Sequence, residues 1–266
     1  MHPFAALAVP AGSVGIHWFE QNAYALKDSR GMILQIDPYY PVDRPPDRFI
    51  HPEPPLVEAA LPTDYVLMTH DHGDHTNPET VARILSAWPQ VRCIGPQEAI
   101  ERVVAEAGVP LAQTATLAAG ETLSLGDVAV HASYSKPPAG DPAAGIAPPD
   151  VTHLGYVIEM AGIVLYNTGD CIHTLADLDD LIAPVAAMQP DIGFITMHPT
   201  EGEFPSFQGG VRLAQKLGLE TAVPSHYSCF VKRDYDPQEW AALLPPGGPR
   251  SLIIPWNSHV IYRPAA

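Results

Sequence analysis

Seven consecutive residues, Thr69-His70-Asp71-His72-Gly73-Asp74-His75, concentrate three imidazoles and two carboxylates directly after an apolar run at 65–68. Imidazole and carboxylate together suit Zn²⁺, Mn²⁺ or Fe²⁺. In an extended backbone, residues two apart point to the same side, so His70 and His72 can meet on one ion. Gly73 permits a tight turn, beyond which Asp74 and His75 can aim at a neighbouring position. A loop this rich in ligand types at the end of a buried strand would desolvate polar groups at a cost that a bound cation offsets. The bland alternative, a polar surface loop with incidental histidines, accounts less well for that density.

Further ligand types stand at the ends of other apolar runs. Asp170 follows Gly169 just after a run at 163–167, a good place for a bridging carboxylate. His226 follows the run 222–224, and Asp37 closes the run 32–36, where it can orient a ligand histidine. Taken singly, Asp170 and His226 read equally well as caps or satisfied polar residues. Their joint occurrence with the histidine cluster makes them candidate metal ligands.

The elements that must carry these residues alternate along the chain. Short runs rich in Val, Ile and aromatics predict strands at 14–19, 23–27, 32–36, 65–68, 91–94, 128–132, 154–160, 163–167, 192–196 and 222–224, with 252–254 and 259–262 as a final strand pair. Gly31, Gly126-Asp127 and Ala161-Gly162 read as hairpin turns. Helices are predicted at 78–87, 97–107, 175–188, 207–216 and 237–244. The pairs Asn77-Pro78 and Asp236-Pro237 are start signals, and Gly218 is a stop signal. Val81, Ile84, Leu85 and Trp88 share the spacing of one buried helical stripe. The 30 prolines cluster at 38–62, 137–149 and 245–249, which predicts ordered loops or lids rather than linkers. No internal repeat is visible in the sequence. The pattern predicts an α/β fold of two packed sheets in a single domain covering residues 1–266.

Composition narrows the function. A formal net charge of −16 opposes a nucleic-acid surface and an anionic membrane surface, leaving a small-molecule substrate as the natural partner. Cys93, Cys171 and Cys229 are odd in number and far apart, which predicts free thiols and a reducing, cytoplasmic setting. The N-terminal residues lack the basic start of a signal peptide, and no apolar stretch is long enough to span a bilayer. A homo-oligomer remains open.

The segment THDHGDH resembles the H-x-H-x-D-H signature of the metallo-β-lactamase superfamily. The order Asp37, His70 to His75, Thr168-Gly169-Asp170 and His226 is similar to that superfamily's order of motifs, over roughly residues 15–262. Stretches at 93–96, 108–110, 129–132, 155–158, 165–170 and 236–239 more narrowly resemble the L-ascorbate-6-phosphate lactonase-like branch. The resemblance implies an αβ/βα sandwich of two mixed sheets with helices on the outer faces. It implies one or two divalent ions, Zn²⁺ or Mn²⁺: His70 and His72 on the first, Asp74, His75 and His226 on the second, Asp170 bridging, and Asp37 supporting a ligand. It also implies attack by a metal-activated water on an ester, lactone, amide or phosphodiester, with Asp74 and Asp170 as the proton-handling carboxylates.

One departure matters. Most relatives carry a further histidine after the strand at 128–132, where this chain has Ser133-Tyr-Ser-Lys136-Pro-Pro. His131 lies within the strand and is expected to face away. His153 is the best replacement, with a satisfied polar residue at a strand start as the alternative. His198, Tyr227 and Lys136 are candidate substrate contacts. Lys232 and His173 are lesser ones, and Cys171 and Cys229 read as small buried fillers rather than soft ligands. The rival readings are a phosphodiesterase and a non-catalytic metal-binding member of the same fold. A di-iron oxygen-reducing protein is disfavoured because His72 stands where such proteins usually have Glu.

Overall fold

The computed structural model describes residues 1–200 and 202–265. In chain order run α1 (Pro3–Ala6), β1 (Val14–Glu20), β2 (Ala23–Lys27), β3 (Ile33–Ile36), β4 (Tyr65–Leu67), α2 (Pro78–Ala87), β5 (Arg92–Gly95), α3 (Gln97–Ala107), β6 (Thr114–Thr116) and β7 (Thr122–Leu125). There follow β8 (Val128–Tyr134), β9 (Leu154–Met160), β10 (Ile163–Asn167), α4 (Asp179–Ala187), β11 (Ile192–Thr196), α5 (Phe207–Lys216), β12 (Thr221–Ser225), α6 (Pro237–Ala241), β13 (Arg250–Ser251) and β14 (Ser258–Tyr262). The chain divides into two compact units, one of residues 1–117, 228–234 and 254–263, the other of residues 118–227, 235–253 and 264–266.

The first unit holds a seven-stranded sheet in the order β14-β1-β2-β3-β4-β5-β6. The pairs from β14 to β3 are antiparallel and those from β3 to β6 are parallel. Parallel pairing needs long crossovers, and α2 and α3 provide two of them. Both helices begin and end as the sequence predicts. The Asn77 side chain caps α2 by accepting from the Thr80 N–H at 2.8 Å, with Pro78 at the first helical position. Val81 and Ile84 are fully buried and Leu85 and Trp88 pack beside them, against Val66 and Met68 of the β4 region and Ile100 and Val103 of α3. Full burial of such a side chain contributes about 1.5–3 kcal/mol, enough to hold the strand that leads into His70.

The second unit repeats the pairing pattern in the order β13-β12-β11-β10-β9-β8-β7, antiparallel from β7 to β10 and parallel from β10 to β13. The repeat is one of topology only, which is why the sequence shows no trace of it. Two mixed seven-stranded sheets with helices are what the sequence resemblance implies.

Three expectations are corrected. The final strand pair does not form: β13 joins β12, while β14 joins β1 in the other sheet, because each completes an open edge. The helix predicted at 175–188 is a 3-10 turn followed by α4. Leu178 leaves the helical region at φ −95°, ψ 83°, and the restart sets Asp179 and Asp180 in the first turn, where carboxylates meet the positive end of the helix. The strands β6 and β7 and the short α1 were not anticipated, their polar or brief sequences carrying little periodicity. Among the described residues no helix is long and apolar enough to cross a membrane.

Candidate metal centre

In the first unit the candidate residues lie at the carboxyl ends of β3 and β4, neighbouring parallel strands. Ligand sites favour that end of a parallel sheet. Asp37 follows β3 in a left-handed backbone conformation, φ 42°, and is fully buried. Its Oδ1 accepts the Thr69 N–H at 2.7 Å, and its Oδ2 accepts from Thr69 Oγ1 at 2.6 Å, Asn22 Nδ2 at 2.7 Å and His75 Nδ1 at 2.7 Å. A carboxylate only accepts, so the His75 proton sits on Nδ1 and its Nε2 presents a lone pair. The same reasoning extends to His70. Thr69 Oγ1 spends its proton on Asp37 and so accepts from His70 Nδ1 at 3.0 Å, which leaves the lone pair on His70 Nε2. One buried carboxylate thereby sets the tautomers of two histidines in the form that binds a metal. This donor set fits a divalent cation.

The loop itself is not extended. The His72 carbonyl accepts from the N–H groups of His75 and Thr76, so the chain turns within the motif. The turn returns His75 to within 4.0 Å of His70 between ring centroids, and His72 lies 4.7 Å from His70. His70 and His75 are buried, while His72 and Asp74 are partly exposed. Asp74 Oδ2 accepts from Gln21 Nε2 at 2.7 Å and lies 3.8 Å from His75 Nε2. The fifth polar residue, Asp71, turns to Arg102 at 3.3 Å instead, and burial raises its carboxyl above the usual range.

In the second unit Asp170, His198 and His226 follow β10, β11 and β12, three adjacent parallel strands. Asp170 is delivered by a turn in which Asn167 Oδ1 accepts the Gly169 N–H at 2.8 Å and Gly169 takes φ 53°. His226 has a left-handed backbone, φ 71°, a costly state for a side-chain-bearing residue and one that clusters at functional sites. Its Nε2 is 3.2 Å from Asp170 Oδ1, and Phe204 packs 4.8 Å from its ring.

His153 is buried at the start of β9, and its carbonyl accepts the Ser135 N–H at 3.1 Å. The segment that lacks the family histidine therefore lies directly across the ladder from His153. His131 does face away, with Thr122 Oγ1 at 2.8 Å on one ring nitrogen and Glu159 at 2.8 Å on the other.

The substrate candidates are less uniform. His198 is buried, its Nδ1 accepting the Thr200 N–H at 3.2 Å. Tyr227 is buried against Tyr235, ring to ring at 4.8 Å, and Lys136 pairs with Glu203 at 2.8 Å. His173 is half-buried, and Lys232 lies exposed on a short 3-10 turn in the first unit. All three cysteines are free and buried, and desolvation pushes the Cys93 and Cys171 thiols up to about 12. Among the described residues no cysteine joins a cluster of potential metal ligands, which fits small buried fillers. Sequence reasoning missed Gln21 and Asn22. The available signal was the polar triplet Glu20-Gln21-Asn22 between two apolar strands, all three of whose members are buried.

Comparison with known proteins places the chain in a family. Residues 34–227 match the model of the β-lactamase superfamily domain. A UPF0173 metal-dependent hydrolase of Myxococcus xanthus is 28% identical over 236 residues, 85% of this chain and 75% of that protein. A probable L-ascorbate-6-phosphate lactonase of Salmonella newport is 26% identical over 191 residues, 66% of this chain and 52% of the lactonase, so the match spans about half of that protein's length. Among solved structures, Igni18, a metallo hydrolase of Ignicoccus hospitalis, superposes with a TM-score of 0.69 at 17% identity, covering 94% of this chain and 99% of that one. With the family domain spanning most of the chain, and the histidines and aspartates of its signature held at strand ends, this protein belongs to the β-lactamase superfamily and is a metal-dependent hydrolase.

Proposed function

We propose that the enzyme hydrolyses the ester bond of a small molecule, a lactone in the favoured case, with one or two divalent ions, Zn²⁺ or Mn²⁺. In this reading His70, His72 and His153 hold one ion, Asp74, His75 and His226 hold the other, and Asp170 serves both. The observation that carries it is the Asp37–Thr69 network, which holds His70 and His75 in the tautomer that ligates a metal. The order of the motifs and a family domain that draws on both units support a single catalytic domain.

When bound, such an ion supplies Lewis acidity and lowers the pKa of a coordinated water from about 15.7 to about 7. The chain's residues do the rest. Asp74, partly exposed, takes the proton of the attacking water and returns it to the leaving oxygen, with Asp170 as the second carboxylate able to share that task. His198 and Tyr227 line the approach, and Lys136 steers an anionic group of the substrate. The lactone preference rests on the Salmonella relative and on the small-molecule partner that a net charge of −16 favours. Three buried thiols support a cytoplasmic setting.

Metal analysis of natively purified protein, coupled to a screen of lactones, phosphodiesters and thioesters, tests the reading. Turnover confined to lactones is expected, and turnover confined to phosphodiesters moves the assignment to that bond. A fully loaded protein with no turnover on any class makes it a binding protein instead. Asp74→Ala and His226→Ala should each lose metal and activity together, by more than the about 10–100-fold that loss of a supporting residue costs, and stay folded. Full metal content in either variant removes that residue from the ligand set.

A further inference from the structure

Gln21 occupies the turn between β1 and β2, far from the histidine motif in sequence. Its backbone is left-handed at φ 54°, a conformation that costs a residue with a Cβ roughly 1–2 kcal/mol. The β1–β2 register slips between Trp18 and Glu20, and the Trp18 indole N–H donates to the Gln21 carbonyl at 3.1 Å, which holds the turn in that shape. Turn chemistry alone would favour Gly or Asn there. A glutamine, 99% buried, therefore points to a use for its side chain. That side chain reaches Asp74 Oδ2 at 2.7 Å, and because a carboxylate only accepts, the amide must present its NH₂ end.

Its neighbours are locked as well. Glu20 forms a buried two-pronged ion pair with Arg44 at 2.7 and 2.8 Å, and Asn22 donates to Asp37 Oδ2 at 2.7 Å. Asp37 in turn holds His75. A single turn thus grips both members of the Asp74/His75 pair, Asp74 directly and His75 through Asp37. The chemical type also fits the place. A neutral N–H donor steadies an anionic carboxylate, whereas Lys or Arg would compete with a cation and Glu would repel Asp74.

We propose that Gln21 is a positioning residue that sets the orientation of the Asp74 carboxylate for metal binding. The inference rests on the assignment of Asp74 as a ligand. Its test is titration of chelator-stripped protein with Mn²⁺ or Zn²⁺ by calorimetry, in wild type, Asp74→Ala, Gln21→Met and Gln21→Gly. Methionine keeps the length and removes the donor, and glycine removes the donor while relieving the positive φ, so the test does not hang on the folding of one variant. The expected result is a metal-free melting curve close to wild type, with an about 10–100-fold weaker affinity for the same equivalent of metal that Asp74→Ala loses, and no change in any other. A purely structural role would shift the melt and leave the affinities alone. Wild-type affinity for every equivalent in a folded Gln21 variant overturns the inference. Unchanged binding in Asp74→Ala overturns the ligand assignment beneath it, and the two failures are read on different proteins.

Discussion

The two units build their candidate residues on the same sheet plan yet hold them differently. In each, the sheet changes from antiparallel to parallel pairing at one strand, β3 or β10, and an aspartate follows it, Asp37 or Asp170. In the first unit the remaining candidates are contiguous, and two of them are tied to that aspartate, His75 directly and His70 through Thr69; it accepts four hydrogen bonds from Asn22, Thr69 and His75. In the second unit His153, Asp170 and His226 are dispersed, each placed by its own strand end, and His226 lies 3.2 Å from the aspartate. The first arrangement is a property of a network and the second a property of the sheet. Damage should spread in one and stay local in the other.

The strongest way to break that contrast is to remove the two aspartates in turn. Asp37→Ala strands several buried donors, each costing about 1–3 kcal/mol, so the chelator-stripped protein should lose about 3–5 kcal/mol of stability. Asp170→Asn should change the stripped protein by no more than about 1 kcal/mol, while still abolishing the metal-induced gain in stability. Urea unfolding with and without Mn²⁺ measures both. Equal losses in the two stripped variants would show that the second unit is networked as well.

A graded effect follows from acid. In the first unit His17 packs against Phe19, His2 and Phe4, and burial, with the neighbouring His2 and His259, lowers its pKa to about 3. The Asn257 amide opposes this by accepting from His17 Nε2 at 3.0 Å, an effect second only to burial. The unfolded chain takes up a proton near pH 6.5 and the folded one near 3. The contribution is therefore complete above pH 6.5 and is lost as pH falls from 6.5 towards 3. Amide exchange at pH 4 should open β1 and β14, where His17 and His259 pair, before β10 to β12. His17→Phe should flatten the difference. Simultaneous opening of the two sets of strands at pH 4 would rule out His17 as its source.

The same contrast explains what could be read from the sequence. The first unit's motif is legible because its ligands are consecutive, and α2 and α3 are legible to the residue because caps and apolar stripes are local signals. Asp170 and His226 stand out as candidates because an open parallel sheet favours ligand sites at its strand ends, and a strand end is visible as the close of an apolar run. Gln21 and Asn22 were not found. Their place depends on a turn meeting a loop some fifty residues away, and a polar triplet between two apolar strands marks a turn without saying what it meets. The strands β13 and β14 were misassigned for a like reason, since adjacency in sequence says nothing about which sheet edge is open.

The smallest predicted effect is the most discriminating for the second unit. His131 and His153 are both on offer as the missing ligand, and the ladder separates them. His131 is partly exposed and paired with Glu159, an arrangement worth at most about 1 kcal/mol at a surface, whereas His153 is buried opposite Ser135. His131→Ala should therefore leave metal content and turnover unchanged and move stability by no more than about 0.5 kcal/mol. His153→Ala should lower the metal bound per chain without unfolding it. Metal analysis of the two variants side by side decides the matter, because a sheet that places its ligands one by one must lose an ion from one substitution and nothing from the other. The opposite pattern would reassign the ligand to β8.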